Sequence, residues 1–123
     1  MSRPGGPEVL ELCERPDPQP GPGEAVVRVH AAAVNRLDIW VREDVGHAYA
    51  ARLPVIPGYD VGGEVAAVGA GVDDVAAGEA VYVHYDYSCG RCGFCLEGDE
   101  AACAAYEVMG VQRDGGYAEY VVA

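Results

Sequence analysis

Basic residues are scarce: 8 Lys+Arg stand against 20 Asp+Glu in a chain of 123 residues, a formal net charge of −12. A surface this negative repels phosphate backbones and anionic lipid, which argues against nucleic-acid and membrane partners and leaves solubility as the simplest use of the charge. No stretch reaches the roughly 18 consecutive apolar residues of a membrane span, and Met1-Ser2-Arg3-Pro4-Gly5-Gly6-Pro7 lacks the apolar region of a secretory signal. The expected address is the cytoplasm. Internal repeats, low-complexity tracts and interdomain linkers are also missing, so residues 1–123 read as one domain at most. Half of the residues are hydrophobic and 23% are charged, a globular balance that argues against wholesale disorder, collagen or a disulfide miniprotein.

Glycine (17) and proline (8) are plentiful, which favours short strands joined by tight turns over a helix bundle. Glu8-Val9-Leu10-Glu11-Leu12-Cys13 carries an extended pattern, with Cys13 expected as a buried strand residue. Pro16 to Gly23 is a short, stiff connection. Ala25-Val26-Val27-Arg28-Val29-His30-Ala31 predicts a half-buried strand, with Arg28 and His30 on one side of the pleat and Val27 and Val29 on the other. Asn35 to Asp44 predicts a short helix capped by Asn35, with Leu37, Trp40 and Val41 on one face. Pro54-Val55-Ile56-Pro57-Gly58 breaks the chain before Tyr59 to Gly69, a strand whose glycines allow another backbone to approach. Gly78 to His84 and Gly115 to Val122 predict two further strands, and His30 and His47 carry no motif. An apolar end at Val121-Val122-Ala123 is expected of a sheet that has been cut short.

Four of the five cysteines lie within fifteen residues, Cys89, Cys92, Cys95 and Cys103, spaced C-x2-C-x2-C-x7-C in a lobe at about residues 87–104. Two-residue gaps let a tight turn aim successive sulfurs at one point, and the longer gap brings the fourth from the far side to close a tetrahedron. Four protein thiolates leave no open coordination position, so the spacing predicts one structural Zn²⁺ per chain rather than a Lewis-acid catalyst. Four thiolates and Zn²⁺ sum to −2, which Arg91 and the backbone N–H groups around Gly90 and Gly93 would disperse. An iron–sulfur cluster would favour a run ending C-x3-C-P, and two disulfides would require export.

Pro57-Gly58-Tyr59-Asp60-Val61-Gly62-Gly63-Glu64-Val65, Val68-Gly69-Ala70-Gly71-Val72, Gly78-Glu79-Ala80-Val81, the four-cysteine lobe and Asp114-Gly115-Gly116-Tyr117-Ala118-Glu119-Tyr120-Val121 follow in a recognisable order. The pattern resembles the N-terminal GroES-like domain of the zinc-containing alcohol dehydrogenase and quinone oxidoreductase (medium-chain dehydrogenase/reductase) superfamily across nearly the whole chain. The resemblance implies a mainly β fold, a partly open barrel with short peripheral helices and a projecting zinc lobe. It also implies that this domain shapes the substrate side of a cleft, while a separate Rossmann domain binds NAD(H) or NADP(H). Departures from the pattern are specific. Where family alcohol dehydrogenases place Cys-His-Ser/Thr-Asp, which supplies a catalytic zinc ligand and a relay hydroxyl, this chain has Asn35-Arg36-Leu37-Asp38. Where they place Gly-His-Glu, it has Gly58-Tyr59-Asp60. With thiolate and imidazole both replaced, Asp60 alone cannot hold zinc, and the chain resembles a subgroup with structural zinc only. The opening strand of relatives is expected to be lost, because Met1-Ser2-Arg3-Pro4 leads directly into Gly5-Gly6-Pro7-Glu8.

No G-x-G-x-x-G fingerprint is present: the sixth position after Gly21-Pro22-Gly23 is Val26, and after Gly69-Ala70-Gly71 it is Asp74. NAD(P) is therefore expected only if a Rossmann partner supplies its site. The resemblance places Asn35, Asp38, Tyr59 and Asp60 near substrate. Asn35 reads either as a donor to a substrate carbonyl or as a helix cap, Asp38 as a cleft residue or a solvated charge, and Asp60 as a structural or acid/base carboxylate or a loop acceptor. Three functions stay open: the substrate-side domain of an oxidoreductase, a stand-alone zinc-stabilised module binding a small molecule or protein, and a non-redox enzyme using Asp38, Asp60, Tyr59 and His84. The edge left by the lost strand predicts homodimerisation, with a separate Rossmann chain as the other expected partner.

Overall fold

A computed structural model describes residues 1–45 and 49–123; His47 lies outside the described residues. The architecture is mainly β. Strands β1 (Ala25–Ala33), β2 (Asp60–Val68), β3 (Ala80–Val83), β4 (Asp86–Tyr87), β5 (Glu107–Val108) and β6 (Tyr120–Val122) are joined by two short helices, α1 (Arg36–Glu43) and α2 (Gly93–Leu96). An open antiparallel sheet runs in the order β3-β2-β1-β6, and β4 and β5 form a separate two-stranded ribbon at the base of the cysteine lobe.

Val27 (β1), Val61 (β2), Val83 (β3), Met109 and Val121 (β6) make the core, with Tyr85 and Tyr87 packed against it. Arg28 and His30 are exposed as their alternation demands, but Val26 and Val27 are both buried. A register shift between these two valines lets consecutive side chains turn inward, which strict alternation forbids. Close backbone packing accounts for two of the glycines. A Cβ on Gly63 would lie 2.1 Å from the Arg28 carbonyl oxygen across the β1–β2 pair, and a Cβ on Gly69 would lie 1.8 Å from the Gly21 carbonyl oxygen.

Several expectations change. Glu8 to Cys13 is not a strand: a 3-10 turn covers Pro7–Val9, and Leu12 and Cys13 are exposed. The N–H groups of Val9 and Leu10 are spent within the turn, on the Gly6 and Pro7 carbonyls, instead of on a sheet neighbour, and Cys13 is a surface thiol. Met1 exchanges two backbone hydrogen bonds of 3.0 Å with Val55, and Gly5 N donates to the Arg42 carbonyl, so the amino-terminal residues have partners of their own. In α1 the buried side chains are Asp38 and Val41; Trp40 faces outward, with the Arg36 guanidinium 5.9 Å from its ring centre and Tyr49 stacked at 6.3 Å. No helix among the described residues is long and apolar enough to cross a membrane.

Candidate functional site

Two groups of residues carry chemistry. The first is the cysteine lobe, which follows β4 and returns through β5. Cys92 caps the four-residue α2, Cys95 sits within it, Cys89 precedes it, and Cys103 ends a 3-10 turn over Glu100–Ala102. The four Sγ atoms lie within 4.8 Å of one another, with Cys92 to Cys95 at 3.4 Å and Cys89 to Cys95 at 3.9 Å. A zinc tetrathiolate with Zn–S of about 2.3 Å has S···S edges of about 3.8 Å, so the spacing fits a closed tetrahedral site. Backbone N–H groups face the sulfurs: Cys89 N and Ala105 N donate to Cys103 Sγ, and those of Arg91 and Cys92 pull the Cys89 thiol down to about 6. The dispersing donors are thus main-chain groups, with Arg91 contributing its N–H while its side chain is exposed. Phe94 and Leu96 are also exposed, and Cys103 is the buried apolar side chain of the lobe among the described residues. A loop with so little core needs a cross-link, and a metal on the four thiolates would supply one.

The second group joins three of the four predicted cleft residues. Asn35 caps α1 by accepting from Leu37 N at 3.0 Å, and its Nδ2 donates to Asp60 Oδ2 at 2.9 Å. Asp60, at the start of β2, accepts a second hydrogen bond from Tyr82 OH at 2.9 Å. Asp38 is buried, not solvated. Its carboxylate accepts from Asn35 N (2.8 Å), Tyr117 OH (2.9 Å) and Gly58 N (3.2 Å), tying α1 to the Pro57-Gly58 turn and to the segment entering β6. Burial first, and then the bond to Asp38, hold the Tyr117 phenol above the ordinary tyrosine range.

Glycine makes the turn possible: Gly58 has φ +112, and a Cβ there would lie 2.6 Å from Tyr117 N, while one on Gly115 would lie 2.3 Å from the Gly58 carbonyl oxygen. Asp38 is therefore held by a backbone crossing that admits no side chain.

Tyr59 stands apart from this network. Its ring stacks on Tyr85 with centres 3.9 Å apart, and His84 stacks on the same Tyr85 at 5.0 Å. Burial, followed by hydrogen bonding to Tyr85, raises the Tyr59 phenol. The non-redox set therefore divides into Asp38 and Asp60 in one network and Tyr59 and His84 in another. Sequence reading missed Tyr82 and Tyr117, whose hydroxyls complete the carboxylate network; Tyr82 points outward from β3 and Tyr117 is adjacent to Gly116, and neither position carries a local signal. Beside Asp38 and Tyr117, a pocket of about 120 Å³ is walled by Leu10, Val34, Ile39, Arg42 and Pro57.

A mainly β scaffold with a projecting four-thiol lobe and a helix-capping network beside a glycine-packed turn defines the GroES-like class of dehydrogenase domain. The chain belongs to the alcohol dehydrogenase GroES-like domain family, whose profile matches residues 21–123. It is 37% identical over 113 residues to the L-threonine 3-dehydrogenase of Pyrococcus furiosus, covering 91% of this chain and 32% of that protein. Among solved structures, an NAD-dependent alcohol dehydrogenase superposes with a TM-score of 0.90 at 48% identity, covering 100% of this chain and 36% of the other. A cobalt- and zinc-bound thermostable alcohol dehydrogenase from Pyrobaculum aerophilum gives 0.88 at 41% identity, covering 100% and 37%. The chain thus spans about a third of the length of the curated relatives it matches.

Proposed function

We propose that this domain forms the substrate side of an NAD(P)-dependent oxidoreductase, that Cys89, Cys92, Cys95 and Cys103 hold one structural Zn²⁺, and that no catalytic zinc is bound. The observation that carries this reading is the direct 2.9 Å hydrogen bond from Asn35 Nδ2 to Asp60 Oδ2. At the two places where the family pattern supplies a thiolate and an imidazole, this chain has Asn35, whose amide is bonded to the neighbouring carboxylate of Asp60, and Tyr59, whose ring is turned to a tyrosine stack. The nicotinamide nucleotide supplies the hydride when a Rossmann unit provides its site. The residues of this chain then position substrate: one Asn35 Nδ2 hydrogen is bound to Asp60 and the second is available to a substrate oxygen. Asp38, with three donors, is a structural clamp. In this reading residues 1–123 alone do not turn over a dinucleotide, and a reducing cytoplasm keeps the four thiols available to metal.

Metal analysis of purified protein tests the reading together with NADH and NADPH titration. One zinc per chain, lost in a Cys103→Ser variant, and no nucleotide binding without a Rossmann unit are expected. Two zinc ions per chain, or nucleotide reduction by the chain alone, would overturn it.

The pocket walled by Leu10, Val34, Ile39, Arg42 and Pro57 supports a second reading, a stand-alone zinc-stabilised module that holds a small molecule. Homodimerisation fits either reading, and size-exclusion mass measurement decides it.

A further inference from the structure

The lobe has a second chemistry that its metal site does not require. Three of its four sulfurs, those of Cys89, Cys92 and Cys95, belong to half-buried residues, while Cys103 is 6% exposed. Of the sulfur pairs, Cys92 and Cys95 are in contact at 3.4 Å and belong to one turn of chain, closed by the hydrogen bond from Leu96 N to the Cys92 carbonyl. The rim carries exposed Glu97, Asp99 and Glu100, which repel anionic oxidants but present no electrostatic barrier to a neutral one. The lobe is also mechanically separate. Beyond Tyr87, which packs on the core at the base, its turns are bonded among themselves, Asp99 N to the Phe94 carbonyl and Cys103 N to that of Glu100, and none of residues 88–103 belongs to the Val27, Val61, Val83, Met109 and Val121 core.

We propose that Cys92 and Cys95 form a peroxide-sensitive redox site, whose oxidation to a disulfide releases the metal and loosens the lobe while the sheet stays folded. This rests on the structural-zinc reading. A peroxide O–O bond is cleaved by one thiolate, giving a sulfenic acid and hydroxide. The second thiolate attacks that sulfur, the S–S bond forms, and a second hydroxide leaves. The two sulfurs together lose two electrons, the peroxide gains them, and both hydroxides end as water. Cys89 and Cys103 remain as two ligands, too few to retain Zn²⁺ in a tetrahedral site.

The test uses the zinc-loaded Cys13→Ser protein, which removes the exposed surface thiol, treated with equimolar hydrogen peroxide. Release of zinc to a chromogenic chelator is expected, one ion per chain, together with a mass decrease of two hydrogens and a Cys92–Cys95 cross-linked peptide. Sheet amide resonances should stay dispersed, and dithiothreitol with zinc should restore the metal. Zinc retained through oxidation, a different cysteine pair, release without any disulfide, or collapse of the whole spectrum would each overturn the site. The zinc content before peroxide is added tests the underlying metal reading separately: a chain that takes up no zinc sinks both, and one that keeps it sinks only the redox site.

Discussion

Replacing Asp38 by Asn tests whether the buried carboxylate is the clamp that the geometry describes. The substitution keeps size and shape and removes the charge. Oδ2 accepts two hydrogen bonds, from Asn35 N and Tyr117 OH, so the amide retains its oxygen there and turns its NH2 toward Gly58 N–H. One charge-assisted bond is then lost and two donors face each other in a buried place. A hydrogen bond to a charged group contributes about 1.5–3 kcal/mol, and a buried donor left without a partner costs about 1–3 kcal/mol. Because the amide still serves two of the three donors, about 2–3 kcal/mol is expected for Asp38→Asn, with a larger loss for Asp38→Ala. Tyr117→Phe removes one of the three donors and leaves the carboxylate bonded, so about 1.5 kcal/mol is expected, and the two changes should be non-additive by about 1 kcal/mol because they share one bond. Urea melts in excess zinc, which keep metal loss out of the comparison, read all three; at roughly 4 °C per kcal/mol, Asp38→Asn should lower Tm by about 10 °C. A change of less than about 0.5 kcal/mol for Asp38→Asn, or strict additivity with Tyr117→Phe, would show that the carboxylate is dispensable.

Gly63→Ala places a methyl 2.1 Å from the Arg28 carbonyl oxygen, so the β1–β2 pair must separate and little folded protein should accumulate, whereas Gly71→Ala meets open space and costs only its φ of +83, about 1 kcal/mol. Met109→Ala should cost about 3 kcal/mol by denaturant melt, because a fully buried side chain leaves a cavity, while Leu12→Ala, fully exposed, should stay within about 0.5 kcal/mol. Five of the eight tyrosines, Tyr59, Tyr82, Tyr87, Tyr106 and Tyr117, ionise above the ordinary range, with burial leading at all but Tyr82, where the bond to Asp60 leads. Tyr87 and Tyr106 are each pushed up to about 12. The unfolded chain loses these protons near pH 10, before the folded one does, so their contribution is complete below about pH 10 and declines as pH rises toward 12. Tyrosinate absorbance rising in one step for all eight would contradict this.

The cysteine lobe was legible because ligand spacing is a local property: four thiols within one loop must meet if the loop turns at its glycines. Helix α1 was legible for the same reason, since Asn35 and Asp38 carry their capping bonds within one turn. Trp40 was misread because helical periodicity marks an apolar face without saying whether the fold covers it. Asp38 occupies the buried face instead, through two bonds to chain segments 20 and 79 residues away. Such partners leave no trace in spacing, and Tyr82 and Tyr117 were missed for that reason. The strand expected through Cys13 failed from the opposite cause: a locally extended pattern is insufficient when its first N–H groups close a 3-10 turn instead of meeting a sheet edge.

The close packing at Gly58 explains why the two sites of this domain respond differently to perturbation. Gly58, Gly110 and Gly115 bring backbone against backbone, Gly116 lies against the Val61 side chain, and a Cβ at any of the four would lie within 3.0 Å of a neighbouring heavy atom. Displacing Asp38 therefore means displacing the turn and the segment that it ties to α1, and the network has no low-energy alternative. The lobe has exposed Phe94 and Leu96 and is held by its sulfurs, so its order follows their chemical state. In a domain built this way, a change confined to the four sulfurs should leave the Asp38 network fixed. Amide exchange in the metal-free protein should accordingly rise across about residues 89–103 and leave Asp38, Gly58 and Val61 protected. Faster exchange at Gly58 on metal removal would show that the two sites are coupled through β3 and β4.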